Sequence, residues 1–202
     1  MGGLDRLLAK SLNNTIRNNL GEKTTQKVEE RLFQKYGLSL TQSIEEFHKI
    51  DAVLREFFGA GADGLESKFM QSLCTAKSKN KTNNWFSITD NHTSQTIMES
   101  FGDDDKSAIL NLVIEDGKII SDILVDCKIP QTSGYRKINQ LIKDGLLVSD
   151  GHTITSDGRR VTKYRSLFDN IRINIIKNKI TVDVQLSRPD FNDSSVLQVI
   201  YG

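Results

Sequence analysis

A chain of 202 residues that is 37% hydrophobic and 26% charged has the composition of an ordinary soluble protein, with apolar material for one large domain or two small ones. Its formal net charge of +1 excludes a global attraction to nucleic acid or to a membrane surface, so any such attraction has to come from local clustering. Cys74 and Cys127 are far apart and neither sits in a C-x-x-C pair, which excludes a disulfide framework and points to a reduced, cytoplasmic protein. No apolar run approaches the ~20 residues of a membrane span. The start Met1-Gly2-Gly3-Leu4-Asp5 lacks the basic-then-apolar layout of a secretory signal.

Residues 1–74 read as an all-helical bundle serving regulation or assembly. Leu4, Leu7, Leu8, Leu12, Ile16 and Leu20 form one helical stripe that ends at Gly21. Val28, Leu32, Phe33 and Tyr36 form a second, closed by Gly37. Ser39 or Thr41 suits the cap of a third helix, with Ile44, Phe47, Ile50, Val53, Leu54, Phe57 and Phe58 on its apolar side. A glycine-rich break, Gly59 to Gly64, precedes a short helix carrying Leu65, Phe69, Met70 and Leu73. No strand precedes that break and no Lys-Ser/Thr pair follows it, so it reads as a connector rather than a phosphate loop. Phe47, Phe57, Phe58 and Phe69 are either core or the lining of a ligand pocket.

Residues 75–102 read as a polar linker, rich in Ser, Thr, Asn and Lys, with Lys77, Lys79 and Lys81 alternating with polar neighbours. Trp85-Phe86 and Ile97-Met98 interrupt it, and an exposed tryptophan in a loose loop is uncommon. This part is therefore expected to dock on a domain or a partner chain.

Residues 103–167 carry the densest pattern. Asp103-Asp104-Asp105 suits a helix N-terminus, with Ala108, Ile109, Leu112 and Val113 inward and Gly117 at the end. Ile119, Ile120, Ile123 and Leu124 recur at helical spacing, then Lys128-Ile129-Pro130 interrupts. A new helix opens at Pro130 and runs over 130–144 to Gly145. Its buried side is centred on Ile138, with Tyr135, Leu141 and Ile142; Gly134 at the edge lets the preceding helix cross closely. The opposite side carries Ser133, Arg136, Gln140 and Lys143, flanked by Thr132 and Lys137. Leu146-Leu147-Val148, Thr153-Ile154-Thr155 and Val161 to Arg165 then read as β-runs around the 155–161 turn, whose tip holds Arg159 and Arg160, with Lys163 on the returning strand. Two short helices, a tight turn and a basic-tipped hairpin are the outline of a winged helix-turn-helix. A helix presenting cationic and hydrogen-bonding groups suits the major groove, and a basic loop beside it suits phosphate. The segment from Lys128 to Arg165 holds eight Lys or Arg against three Asp, while Phe101 to Cys127 holds seven acidic residues and two lysines. That gives the unit a basic front and an acidic rear.

In residues 168–202, Ile171, Ile173 and Ile175, then Ile180, Val182, Val184 and Leu186, alternate with polar residues, as in a β-hairpin turning near Asn178 with one apolar face. That face has to lie on the helical half or on a second subunit, because a two-stranded ribbon is not stable alone. The apolar tail from Val196 to Tyr201 reads as a further docking segment, possible as another strand. His48, His92 and His152 are widely separated with no metal-ligand spacing, and no catalytic triad is visible, so neither enzyme activity, a metal ion nor a cofactor is expected.

The run SDILVDCKIPQTSGYRKINQLIKDGLL, followed by TSDGRRVTKYRS, resembles the winged-helix domain of archaeal transcription regulators, broadly similar to the ArsR-like group. The resemblance spans roughly Asp103 to Leu186 and implies that the helix after Pro130 is a recognition helix, with Thr132, Ser133, Arg136, Lys137 and Gln140 on DNA, and Arg159 and Arg160 on the wing. Metal-sensing members carry a Cys pair before that helix; here only Cys127 is present. The run SLTQSIEEFHKIDAVLREFFGAGADGLESKF is similar to small helical output domains of ammonia-oxidising archaea, the Nitrosopumilus output-domain group, which implies a regulatory or partner-binding module. The expectation is an α+β transcription regulator: a helical bundle, a winged helix-turn-helix and a β-hairpin, binding double-stranded DNA as a homodimer, away from membranes, with an effector or protein partner for the helical half. Two other readings stay open: a protein-interaction module using the winged helix, and a small-molecule sensor with the helical half as receptor.

Overall fold

The computed structural model describes residues 2–77, 85–177 and 179–201. The helical half opens with α1 (Gly3–Leu20), whose Leu4, Leu7, Leu8, Leu12 and Ile16 are buried at the expected spacing. Gly21 (φ 73°) turns the chain into α2 (Glu22–Tyr36), and Gly37 (φ 69°) ends that helix in the left-handed conformation. The third predicted helix is split. Ser39 caps the short α3 (Leu40–Ser43) through a reciprocal bond with Gln42, a 3-10 turn follows over Ile44–Glu46, and α4 (Phe47–Phe58) begins afresh. The glycine-rich break shrinks to a turn at Gly59-Ala60, and α5 (Gly61–Leu73) starts inside it.

Three phenylalanines depart from their expected places. Phe33 is 68% exposed, since it stands about 140° around α2 from Val28. Phe57 and Phe58 lie on the last turn of α4 and are also exposed. Phe47 and Phe69 are buried core residues, so the four aromatics do not line one pocket.

Where a polar linker is expected, the described residues of 75–102 are mostly regular structure. They finish β1 (Cys74–Ala76) and form β2 (Trp85–Ile88) and α6 (Asn91–Gly102). Lys79 and Lys81 lie outside the described residues. Polar composition here reflects outward faces: Phe86, Ile88 and Ile97 are buried, and Asp90 caps α6 by accepting from the Thr93 amide at 2.7 Å while Ser11 of α1 donates to it at 2.6 Å.

The next unit is α7 (Asp104–Leu112), β3 (Lys118–Ile119), α8 (Ile120–Asp126), α9 (Gln131–Lys143), β4 (Leu147–Ile154) and β5 (Arg160–Ser166). The inner side of α7 is Ile109, Leu110 and Val113 rather than Ala108, which is exposed. The two β-runs after Gly145 are one strand, with an irregularity between Ser149 and His152. Strands β3, β5 and β4 make an antiparallel sheet in that order. Beyond it, β6 (Phe168–Ile176) and β7 (Lys179–Leu186) pair along their length, and β2 adds to the free edge of β7, giving an antiparallel sheet of order β1-β2-β7-β6. The predicted turn at Asn178 lies outside the described residues.

The chain closes with α10 (Arg188–Asp193) and α11 (Ser195–Tyr201). The tail is a helix, not a strand, because Asp5 organises its start: the Ser195 amide and hydroxyl donate to Asp5 at 2.7 and 2.8 Å, and the Ser194 hydroxyl donates to it too. The protein is thus α+β with two antiparallel sheets, and its buried residues, among them Leu8, Phe47, Ile97, Ile138, Val184 and Leu197, belong to one contiguous core. Among the described residues no helix is long and apolar enough to cross a membrane.

Candidate nucleic-acid interface

Helix α9 starts where proline permits. Pro130 (φ −56°, ψ 136°) precedes the first turn, and Ser133 donates its hydroxyl back to the Pro130 carbonyl at 3.1 Å. Ile138 and Leu141 are buried, and an added Cβ at Gly134 would lie 2.2 Å from Leu124 Cδ2, so α8 and α9 cross closely at that glycine as the sequence suggests. Tyr135 departs from the expectation of burial: it is 44% exposed, at a shallow cleft with Leu124, Val125, Ile129 and Pro130. At the other end Gly145 (φ 77°) turns the chain into β4, and Arg6 of α1 donates to the Ile142 carbonyl at 3.0 Å. The N-terminal helix therefore fixes the end of α9.

The polar side of α9 divides. Thr132, Arg136, Gln140 and Lys143 are exposed, and at 100° per residue they fall within about 80° of arc along ~16 Å of helix. Among the described residues Arg136 and Lys143 form no ion pair. Gln140 donates to Asp144, at 2.8 Å on the surface. Ser133 is half-buried and occupied by Pro130. Lys137 does not join this row: it is bonded to Asp103 at 2.7 Å and to Asp105 at 3.0 Å on α7. Those bonds raise its pKa and hold the Asp103 carboxyl below its ordinary value. The acidic rear of the unit thus consumes one cation predicted for its front.

The hairpin tip is built by a local network. The Thr155 amide donates to the Arg159 carbonyl at 2.9 Å, the Gly158 amide donates to the Thr155 carbonyl at 2.8 Å, and Gly158 takes a φ of 79°. Arg159 projects with 82% of its side chain exposed and pairs with the tip's own Asp157, at 3.2 Å; Arg160 is exposed beside it. Lys163 stands 3.9 Å from Asp150, further back along β5. Arg165 faces inward, donating to both oxygens of buried Asp190 of α10. Lys128, absent from the predicted set, is exposed in the α8–α9 turn with a φ of 55°, on the same cleft as Gln131 and Tyr135. Its place after Cys127 and before Ile129-Pro130, where no helix can continue, is the sequence signal for it.

Elsewhere, the carboxylate oxygens of Asp51, Asp63 and Glu66 come within 4.8 Å of one another, and Arg55 bonds to both aspartates. Those three acids are a possible ligand set for an ion. Glu66 is buried, and burial together with Asp51 pushes its pKa up to about 8. A raised carboxyl pKa contributes fully below the unfolded value near 4.5 and loses that contribution as pH rises through 8. Unfolding free energy is expected to fall between pH 5 and 9 by on the order of 2–4 kcal/mol, and Glu66→Gln to remove most of that slope. Urea titrations of both proteins at the two pH values check this; an equal slope in the variant would assign the loss elsewhere. Burial also pushes the Cys74 thiol to about 12, and burial, then Asp126 and Asp105, raises that of the half-buried Cys127, so neither is an activated nucleophile.

No family model matches the chain, and neither a curated protein nor a solved structure matches it.

Proposed function

We propose that the unit from α7 to β5 is a winged helix-turn-helix that binds double-stranded DNA as part of a transcription regulator. In this reading α9 enters the major groove with Thr132, Arg136, Gln140 and Lys143, and the 155–161 turn holds the backbone with Arg159 and Arg160. The observation that supports it most is the pair of exposed cationic features joined by the Gly145 turn and β4: a polar row on α9 with Arg136 free of any ion pair among the described residues, and a glycine-shaped tip ending in two exposed arginines. Ser133 and Lys137 act in shaping the helix start and its seat on α7. Lys163 reaches phosphate only by leaving Asp150. The helical half serves regulation or assembly, and its exposed Phe33, Phe57 and Phe58 offer the surface for an effector or protein partner.

Fluorescence anisotropy with selected and random duplexes at graded salt tests the reading. Affinity is expected to fall with salt at a log-log slope of about −0.9 per phosphate neutralised. Arg136→Ala is expected to cost ~1–3 kcal/mol on the selected duplex and to relax preference, whereas Arg159→Ala weakens all duplexes alike. Lys137→Ala changes stability more than affinity. Unchanged binding by the two arginine variants removes the assignment.

A further inference from the structure

Strand β6 is the outer edge of its sheet, and among the described residues nothing pairs with its far side. It runs for nine residues without proline, and its one irregularity sits at the start, between Phe168 and Asn170. Long, regular edges are ordinarily blunted by charge, proline or bulges, because they template pairing with another chain. Here Ile171, Ile173 and Ile175 share the face of Val184, Val182 and Ile180, their partners on β7. Val182 and Val184 are buried, but Ile173 is 42% and Ile175 69% exposed. Along the same face runs a groove of about 340 Å³, lined by Phe101, Leu110, Ile114, Phe168, Ile171 and Ile173.

We propose that β6 is the dimer interface of this protein, pairing antiparallel with β6 of a second copy about a two-fold axis at Ile173 and joining the two four-stranded sheets edge to edge. The strand's own sequence selects that occupant. A two-fold perpendicular to a sheet preserves its faces, so the axis passes through a residue and the facing positions follow. Centred on Arg172, two arginines would oppose each other, which is unfavourable. Centred on Asn174, Arg172 would oppose the partner's Ile176. Centred on Ile173, Ile171 faces the partner's Ile175 and Arg172 faces the partner's Asn174.

This register also makes the surface self-complementary in shape. The partner's Ile175, opposite Ile171 and on the same face, points into the groove, and the reciprocal isoleucine fills the partner's groove. The protruding residue and the recess thus belong to the same molecule, two same-face positions apart. Charge agrees, since from Asn170 to Ile176 the one charged side chain is Arg172, and this register sets it beside an amide rather than beside its own copy. The inference gives the dimeric part of the DNA-binding reading its interface, and it is tested without DNA so that the two can fail separately.

Sedimentation velocity of the full chain at micromolar concentration is expected to give twice the 22.7 kDa chain mass. Ile173→Arg places two like charges at the axis and is expected to weaken association at least tenfold. Asn174→Arg, set opposite the partner's Arg172, is expected to weaken it likewise and Asn174→Asp to strengthen it severalfold, an opposed pair of effects that a folding defect would not give; far-UV circular dichroism checks the fold of each. A monomeric wild type, a dimer indifferent to Ile173→Arg, or a shift in the same direction from both Asn174 variants overturns the proposal. A dimer that fails to bind duplex leaves the interface standing and removes only the DNA reading.

Discussion

Gly145→Ala is expected to destabilise the protein by about 3 kcal/mol or more, for two separable reasons. Gly145 has a φ of 77°, where a Cβ costs roughly 1–2 kcal/mol. In addition, that Cβ would lie 2.4 Å from the Gly3 carbonyl oxygen and 2.8 Å from the Leu7 amide nitrogen. Both are backbone atoms of α1 and cannot swing aside as a side chain does, so α1 has to shift away from α9, at an overpacking cost of ~1–3 kcal/mol. The shift would also strain the bond from Arg6 to the Ile142 carbonyl, which holds the last turn of α9. Gly151→Ala is the control, because Gly151 has a φ of 75° with nothing within 4 Å of an added Cβ. Urea unfolding of the two variants is expected to differ by ~2 kcal/mol, Gly145→Ala being the worse. Equal losses would mean that α1 does not press on the Gly145 turn in solution.

Arg165→Met is expected to cost ~3–5 kcal/mol, since it strands a buried carboxylate. Asp190 is 3% exposed and accepts from both terminal nitrogens of Arg165, one of them at 2.8 Å. It also accepts the hydroxyl of Ser187, the cap of α10. Without the guanidinium, the buried Asp190 loses its charged partner and draws α10 outward toward water, which loosens the stacking of Phe191 on Phe86 at a centroid distance of 6.1 Å. Arg165→Met with Asp190→Leu is expected to recover most of the loss, because removing both charges also removes their desolvation. Chemical unfolding of the single and double variants decides it. A double variant as unstable as the sum of the singles would show that shape, not the ion pair, holds α10.

The elements legible in the sequence are those whose causes lie within a few residues. The stripe from Leu4 to Ile16 gives α1, Pro130 and Gly145 bracket α9, Gly134 announces the close crossing with Leu124, and Asp157-Gly158 makes the hairpin tip. Each rests on backbone preference or on a period of 3.6 or 2, which the chain carries locally. Of the candidate site, the arc of Thr132, Arg136, Gln140 and Lys143 follows from helical geometry alone.

Tertiary structure decided what those local rules leave free. Residues 85–88 read as part of a linker because their pairing partner, β7, lies about a hundred residues downstream. The tail is a helix because Asp5, at the other end of the chain, bonds to Ser194 and Ser195. Lys137 and Arg136 are adjacent and both cationic, yet among the described residues only Arg136 stays exposed without an ion partner, because Asp103 and Asp105 approach the helix from one side. A residue's helical or extended state depends on its neighbours in sequence, whereas the group that neutralises or covers its side chain is supplied by distant segments. The sequence by itself therefore determined the elements and their polar faces, and only the assembled fold determined which of those charges were left unpaired.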